Sequence, residues 1–153
     1  MIIGDSSALV ALSIMGRLDL LEIIFGEIYV PQAVYDEVAV SGKPEGIKLK
    51  KFLKDKVVNA EVGISKMGLG FGELEAISLY KTMNAQFLLI DDKRAKKFAE
   101  LNGVNVIGSI GVVLLAKELG KVKSIRTDLE KLLKSNVFVS KHLIERILIS
   151  VDE

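Results

Sequence analysis

Apolar residues follow two rhythms along this chain, and the rhythms alternate. Short uncharged runs rich in β-branched residues, MIIG at the start, then EIYV, FLLI and VNVI, predict buried strands. Between them lie longer stretches with apolar residues every three or four positions, which predict helices. SSALVALSIM is the first, with Ser6 or Ser7 as its N-cap and Gly16 as its stop. RLDLLEIIF follows and ends at Gly26. The next helix runs over PQAVYDEVAV, with Pro31 at its first position, where a missing N–H costs nothing, and closes near Gly42. Lys43 to Lys56 reads as a lysine-rich helix with Ile47, Leu49, Phe52 and Leu53 on its buried side, and VVNAEV as a further short strand. The glycine loop GLGFG precedes a helix over ELEAISLYKTM. DKRAKKFAELNG forms another with a glycine stop, and three more cover SIGVVLLAKELG, SIRTDLEKLLKS and SKHLIERILIS.

Strands alternating with helices predict an α/β protein with a parallel sheet covered on both faces. The 153 residues contain no repeat, linker or low-complexity tract, so a single domain over 1–153 is expected. Half of the residues are apolar and the mean hydropathy is +0.37, which places the chain among globular proteins. The N-terminus lacks a basic region and Asp5 interrupts its apolar run, so no signal peptide is read there. IGVVLLA is far too short to span a bilayer, and the expectation is a soluble, cytoplasmic protein.

Composition narrows the chemistry. Without cysteine there are no disulfides, thiolate nucleophiles or cysteine zinc sites. The single His142 stands alone late in the chain, and Ser6 and Ser7 have no partner base. GLGFGE lacks the Lys-Ser/Thr of a phosphate-binding loop and reads as a turn that starts a helix.

The acids remain. In an open parallel sheet, ligands bind beyond the carboxyl ends of the strands. Asp5 follows the first strand, and Asp91 and Asp92 follow FLLI. Glu37 lies on the helix after EIYV, and Glu73 and Glu75 open the helix after the glycine loop. Singly, each has a bland role as a helix cap, a first-turn charge or a solvated side chain. Together they would repel one another and raise their own pKa values, a cost that a bound divalent cation offsets. Oxygen donors without Cys or a nearby His favour Mg²⁺ or Mn²⁺ over zinc. Glu73 and Glu75 stand about 200° apart on a helix, so one at most faces a given site. The same question attaches to Asp91 and Asp92.

The segments from IIGDSSALVALSIMGRLDLLEIIFGEIYVPQAVYDEV through GLGFGELEAI to LLIDDKRAKKFAELNGVNVIGSIGVVLLAK resemble the PIN-domain family, closest to short prokaryotic proteins with GxGExEAI and IDD motifs. The resemblance extends to about Gly120. It implies a three-layer α/β/α sandwich with a central parallel sheet, and an Mg²⁺- or Mn²⁺-dependent ribonuclease like the toxins of VapC-type toxin–antitoxin pairs. It places the family's acids on Asp5, Glu37, Glu73 or Glu75, and Asp91 with Asp92 beside it. Ser6 or Ser7 falls on the neighbouring hydroxyl position. The metal ligands expected on this basis are Asp5, Glu37, Glu75 and Asp91. Many PIN ribonucleases carry an aspartate two positions after the fourth acid, where this chain has Lys93.

The expected reaction is attack of a metal-activated water on an RNA phosphodiester. The Lys43–Lys56 segment and Lys93, Arg94 and Lys97 are the candidate phosphate contacts. With no Trp and 6% aromatics, stacking platforms for bases are not evident. The competing reading is a catalytically weak PIN-like module that binds RNA or protein. A phosphatase or phosphoacceptor built on Asp5 is disfavoured, because DSSAL lacks the second aspartate of a DxD motif. The resemblance implies a small antitoxin partner and a homodimer, for which the stripe Leu143, Ile144, Ile147 and Leu148 offers a seam.

Overall fold

The computed structural model describes residues 1–40, 42–60 and 70–153. Five parallel strands, β1 (Ile2–Gly4), β2 (Ile28–Pro31), β3 (Val57–Val58), β4 (Phe87–Leu89) and β5 (Val106–Ile107), form one sheet in the order β3-β2-β1-β4-β5. Register pairs Ile2 with Ile28 and Phe87, and Gly4 with Leu89. The chain first builds outward from β1 to β2 and β3, then crosses back to lay down β4 and β5 on the other side. Strand order therefore reverses between β1 and β4, where a crevice opens in folds of this kind.

Nine helices are present among the described residues: α1 (Ser6–Met15), α2 (Asp19–Phe25), α3 (Gln32–Val38), α4 (Pro44–Phe52), α5 (Phe71–Thr82), α6 (Lys93–Leu101), α7 (Ser109–Glu118), α8 (Arg126–Leu133) and α9 (Lys141–Ser150). Alternation along the strands builds a core on each face. Ile2 and Leu89 point into the larger core, with Leu9 and Leu12 of α1, Leu49 of α4, Val112 of α7 and Leu129 of α8. Ile3, Leu88 and Ile90 point the other way, onto Ala76 and Leu79 of α5 and Ala95 and Ala99 of α6. The result is a three-layer α/β/α sandwich. No described helix is long and apolar enough to cross a membrane.

The helix stops follow the glycines: Gly16 caps α1 in the left-handed conformation, with φ 71°. Four local readings are corrected. Asp5, with extended backbone, holds the N-cap position of α1, so Ser6 and Ser7 open the helix instead. Pro31 closes β2 and stands one residue before α3, which ends at Val38. Ile47 is 70% exposed, because Leu49 and Leu53 define the buried side of α4 and Ile47 is about 200° from Leu49. Phe71 and Gly72 belong to α5 rather than to the loop. The remainder of the glycine loop, 68–69, and the end of VVNAEV, 61–62, lie outside the described residues.

Candidate active site

Asp5 leaves β1 at the point where strand order reverses. Its backbone N–H donates to the Leu89 carbonyl at 2.9 Å, tying the end of β1 to β4, and its own carbonyl accepts from Leu9 as α1 begins. The residue is only 3% exposed. Its side chain opens into a cleft of about 200 Å³, which Glu37, Glu73 and Asp92 also line. Ser6 and Ser7 complete one wall, and Gly70 and Gly72 the other. No basic side chain lines this cleft among the described residues.

Each acid arrives by a different route. Glu37 projects from α3, and the Ser6 hydroxyl donates to its Oε2 at 2.7 Å. Gly72 brings the start of α5 against α3: a Cβ there would stand 3.4 Å from Val34 Cγ2 and 3.6 Å from Glu37 Oε2. Glu73, in the first turn of α5, accepts the Gly70 backbone N–H. Asp92 caps α6 by accepting the Ala95 N–H on Oδ1 at 2.8 Å.

Convergence shows in the electrostatics. The Asp5 carboxyl is pushed up from its ordinary 3.8 to about 7. Burial is the main cause; the Ser6 backbone N–H opposes it, and the charges of Glu73, Glu37 and Asp92 add to it.

Within each acidic pair the structure separates the two members. Glu75, 8% exposed, turns away from the cleft and accepts the Ala33 N–H at 3.1 Å, capping the first turn of α3. Its α5 neighbour Glu73 faces the cleft, as the helical rotation between them requires. Asp91 accepts the Ser109 N–H on Oδ1 and the Ser109 hydroxyl on Oδ2, both at 2.7 Å, and braces the start of α7. Asp92 is the member that reaches the cleft. Of the expected ligands Asp5, Glu37, Glu75 and Asp91, the structure brings Asp5 and Glu37 into the cleft with Glu73 and Asp92, while the carboxylates of Glu75 and Asp91 are engaged with helix starts. Ser109 went unnoticed in the sequence; its signal is the Gly-Ser pair at a helix start, three positions after a strand begins. His142 is exposed on α9, and Lys93, Arg94 and Lys97 are exposed on α6.

The four acids offer only hard oxygen donors, and their mutual repulsion at a buried carboxyl is the kind a divalent cation relieves, so the donor set fits Mg²⁺ or Mn²⁺. As they stand, no three acidic or His side chains among the described residues are gathered closely enough to hold an ion. Glu73 and Glu37 have instead settled on the Gly70 N–H and the Ser6 hydroxyl.

The class these features define is a parallel α/β/α sandwich with an all-acidic cleft at its topological switch point. The sequence model of the PIN domain matches residues 1–153, and the chain belongs to the PIN-domain family. PIN domains are generally nucleases, and PIN nucleases usually need divalent metals. No curated protein and no solved structure matches the chain.

Proposed function

We propose that this protein is an Mg²⁺- or Mn²⁺-dependent endoribonuclease of the cytoplasm and the toxin component of a toxin–antitoxin pair. The observation that carries the catalytic part is the meeting of Asp5, Glu37, Glu73 and Asp92 in one cleft, around a carboxyl raised to about 7. Asp5, Glu37, Glu73 and Asp92 would hold the cation, which when bound supplies an activated water at neutral pH and neutralises phosphate charge. Ser6 orients Glu37 through its hydroxyl, Glu75 fixes the start of α3, which carries Glu37, and Asp91 braces the start of α7 beside the cleft. Lys93, Arg94 and Lys97, exposed just beyond Asp92, would take backbone phosphates. The toxin role, a small antitoxin partner and a homodimer rest on the family resemblance.

The test is cleavage of mixed RNA with Mn²⁺, with and without chelator, against Asp5→Asn. Metal-dependent cleavage that disappears in the variant is expected. Equal cleavage by the variant removes the acidic mechanism. A second reading, a weakly active module that binds RNA or protein, is favoured by Lys93, which places a cation where many PIN ribonucleases have an aspartate. Calorimetric Mn²⁺ titration separates the two, since no heat together with no cleavage supports the module. Co-purification of the product of an adjacent gene tests the antitoxin, and light scattering tests the dimer.

A further inference from the structure

Beside the acidic cleft runs a second concavity, of about 420 Å³, at the carboxyl end of β4 and β5. Consecutive residues divide the two: Asp92 lines the cleft and Asp91 lines the groove. Apolar walls come from Ile110 of α7, Leu132 of α8 and Leu143 of α9, and from Val137, Phe138 and Val139 in the segment joining α8 to α9. Val137 and Val139 pack against the larger core, so the residue between them is turned outward. Phe138 is 98% exposed and Leu143 is 46% exposed, at the mouth of this groove.

The rim is cationic. Lys93 and Lys96 both line the groove, and the Lys96 ammonium reaches over Gly108, where a Cβ would stand 3.3 Å from Nζ. Neither lysine is in a salt bridge among the described residues. Asp91, the one carboxylate in the lining, accepts from Ser109 on both oxygens, and its Oδ1 stands 2.8 Å from that same Cβ position at Gly108, so it shares the corner with Lys96 without bridging to it. Lys93, Arg94 and Lys96 crowd the first turns of α6, where the dipole disfavours cations; the N-cap carboxylate of Asp92 offsets this in part, and the three cations still repel one another. A polyanion lying across this corner relieves that repulsion.

We propose that this groove receives a nucleobase of the RNA strand, stacked on the Phe138 ring, while Lys93 and Lys96 hold the adjoining phosphate. The inference rests on the reading of the acidic cleft as a ribonuclease site and adds a recognition subsite next to it. A volume near the lower end of small-molecule pockets, roughly 300–1,000 Å³, suits one flat ring system. An open aromatic face beside unpaired cations is the arrangement by which proteins hold single strands. A polypeptide occupant would have to bring its own carboxylates to the two lysines, whereas every nucleotide of a strand carries a phosphate.

The test is fluorescence anisotropy in EDTA with a fluorescein-labelled twelve-nucleotide oligoadenylate and an abasic strand of the same length. Wild type is expected to prefer the base-bearing strand. Phe138→Ala should weaken that strand by about 5- to 100-fold and leave the abasic strand unchanged, and Phe138→Trp should restore the preference. Lys96→Ala should lower the slope of log affinity against log salt by about 0.7. With Mn²⁺, Phe138→Ala should raise KM for the base-bearing strand and leave kcat near wild type. Cleavage by wild type combined with equal affinity of Phe138→Ala for both strands overturns the subsite and leaves the nuclease standing. Strand preference without any cleavage keeps the subsite and overturns the nuclease. Loss of dimer mass in Phe138→Ala with unchanged RNA binding assigns the groove to a second copy of the chain and overturns the proposal.

Discussion

Replacing Asp5 by Asn should stabilise the cation-free protein, and only above acidic pH. The Asp5 carboxyl has its ordinary 3.8 in the unfolded chain and about 7 in the fold. Between those values the folded state holds the extra proton, so stability falls as pH rises, and above pH 7 the whole penalty is present. At about 1.4 kcal/mol per tenfold change, the ionised form is disfavoured by about 4 kcal/mol. Relaxation and water entry at the cleft reduce the realised figure to about 2–3 kcal/mol. Asn keeps the shape, carries no charge and relieves Glu37, Glu73 and Asp92 of a like neighbour. Urea denaturation of chelator-treated protein, followed by circular dichroism because the chain lacks Trp, should find the variant more stable by about 2–3 kcal/mol at pH 8. At pH 4 the difference should nearly vanish. For a chain of this size the pH 8 gain corresponds to a Tm rise of roughly 5–10 °C. Mn²⁺ should close the gap, adding about 2.7 kcal/mol to wild type at a hundredfold excess over Kd and little to the variant, and should invert the order at a thousandfold excess, where the gain is about 4.1 kcal/mol. A difference independent of pH, or a variant less stable at pH 8, refutes the account of Asp5 as a strained carboxyl.

The two glutamates of α5 should separate by phenotype: Glu75→Ala should cost about 1–2 kcal/mol through the lost cap on α3, read by urea midpoint, while Glu73→Gln should leave the midpoint near wild type and abolish Mn²⁺-dependent cleavage. Glu153 is partly desolvated, yet hydrogen bonds from Lys117, Ser124 and the Ile125 and Arg126 backbone hold its carboxyl down at about 2. Its stabilising effect is present above pH 4.5 and lost as pH falls through 2, so Glu153→Gln should cost about 1–2 kcal/mol at pH 6 and almost nothing at pH 2, measured by denaturant titration. Changing Lys93, Arg94 and Lys97 together to Ala should reduce the salt slope of single-strand RNA binding by about 2, with cleavage of bound strands continuing.

Much of the architecture is local and was legible along the chain. β1, β4 and β5 are apolar runs bounded by polar residues or glycine, and α1, α2 and α7 end where their sequence turns to Gly or loses its period. That Asp5 and the Asp91–Asp92 pair would gather at one rim followed from parallel strands alone, because every strand then ends on the same edge of the sheet. The repulsion raising Asp5 was expected from the number of acids; burial as its larger cause was not, since solvent access at the end of β1 depends on how α1, α3 and α5 close over it.

Where two like residues are neighbours, the sequence by itself determined that they diverge and left open which goes where. Tertiary structure decided that Glu73 and Asp92 face the cleft, because the N–H groups of Ala33 and Ser109 at the starts of α3 and α7 claim Glu75 and Asp91. It also decided that Ile47 is exposed and that Phe138 stands out beside Lys93 and Lys96. The physical reason is common to these cases. Periodicity reports which side of an element is apolar, but the partner of a side chain is set by packing between elements far apart in sequence, and no local pattern records that distance.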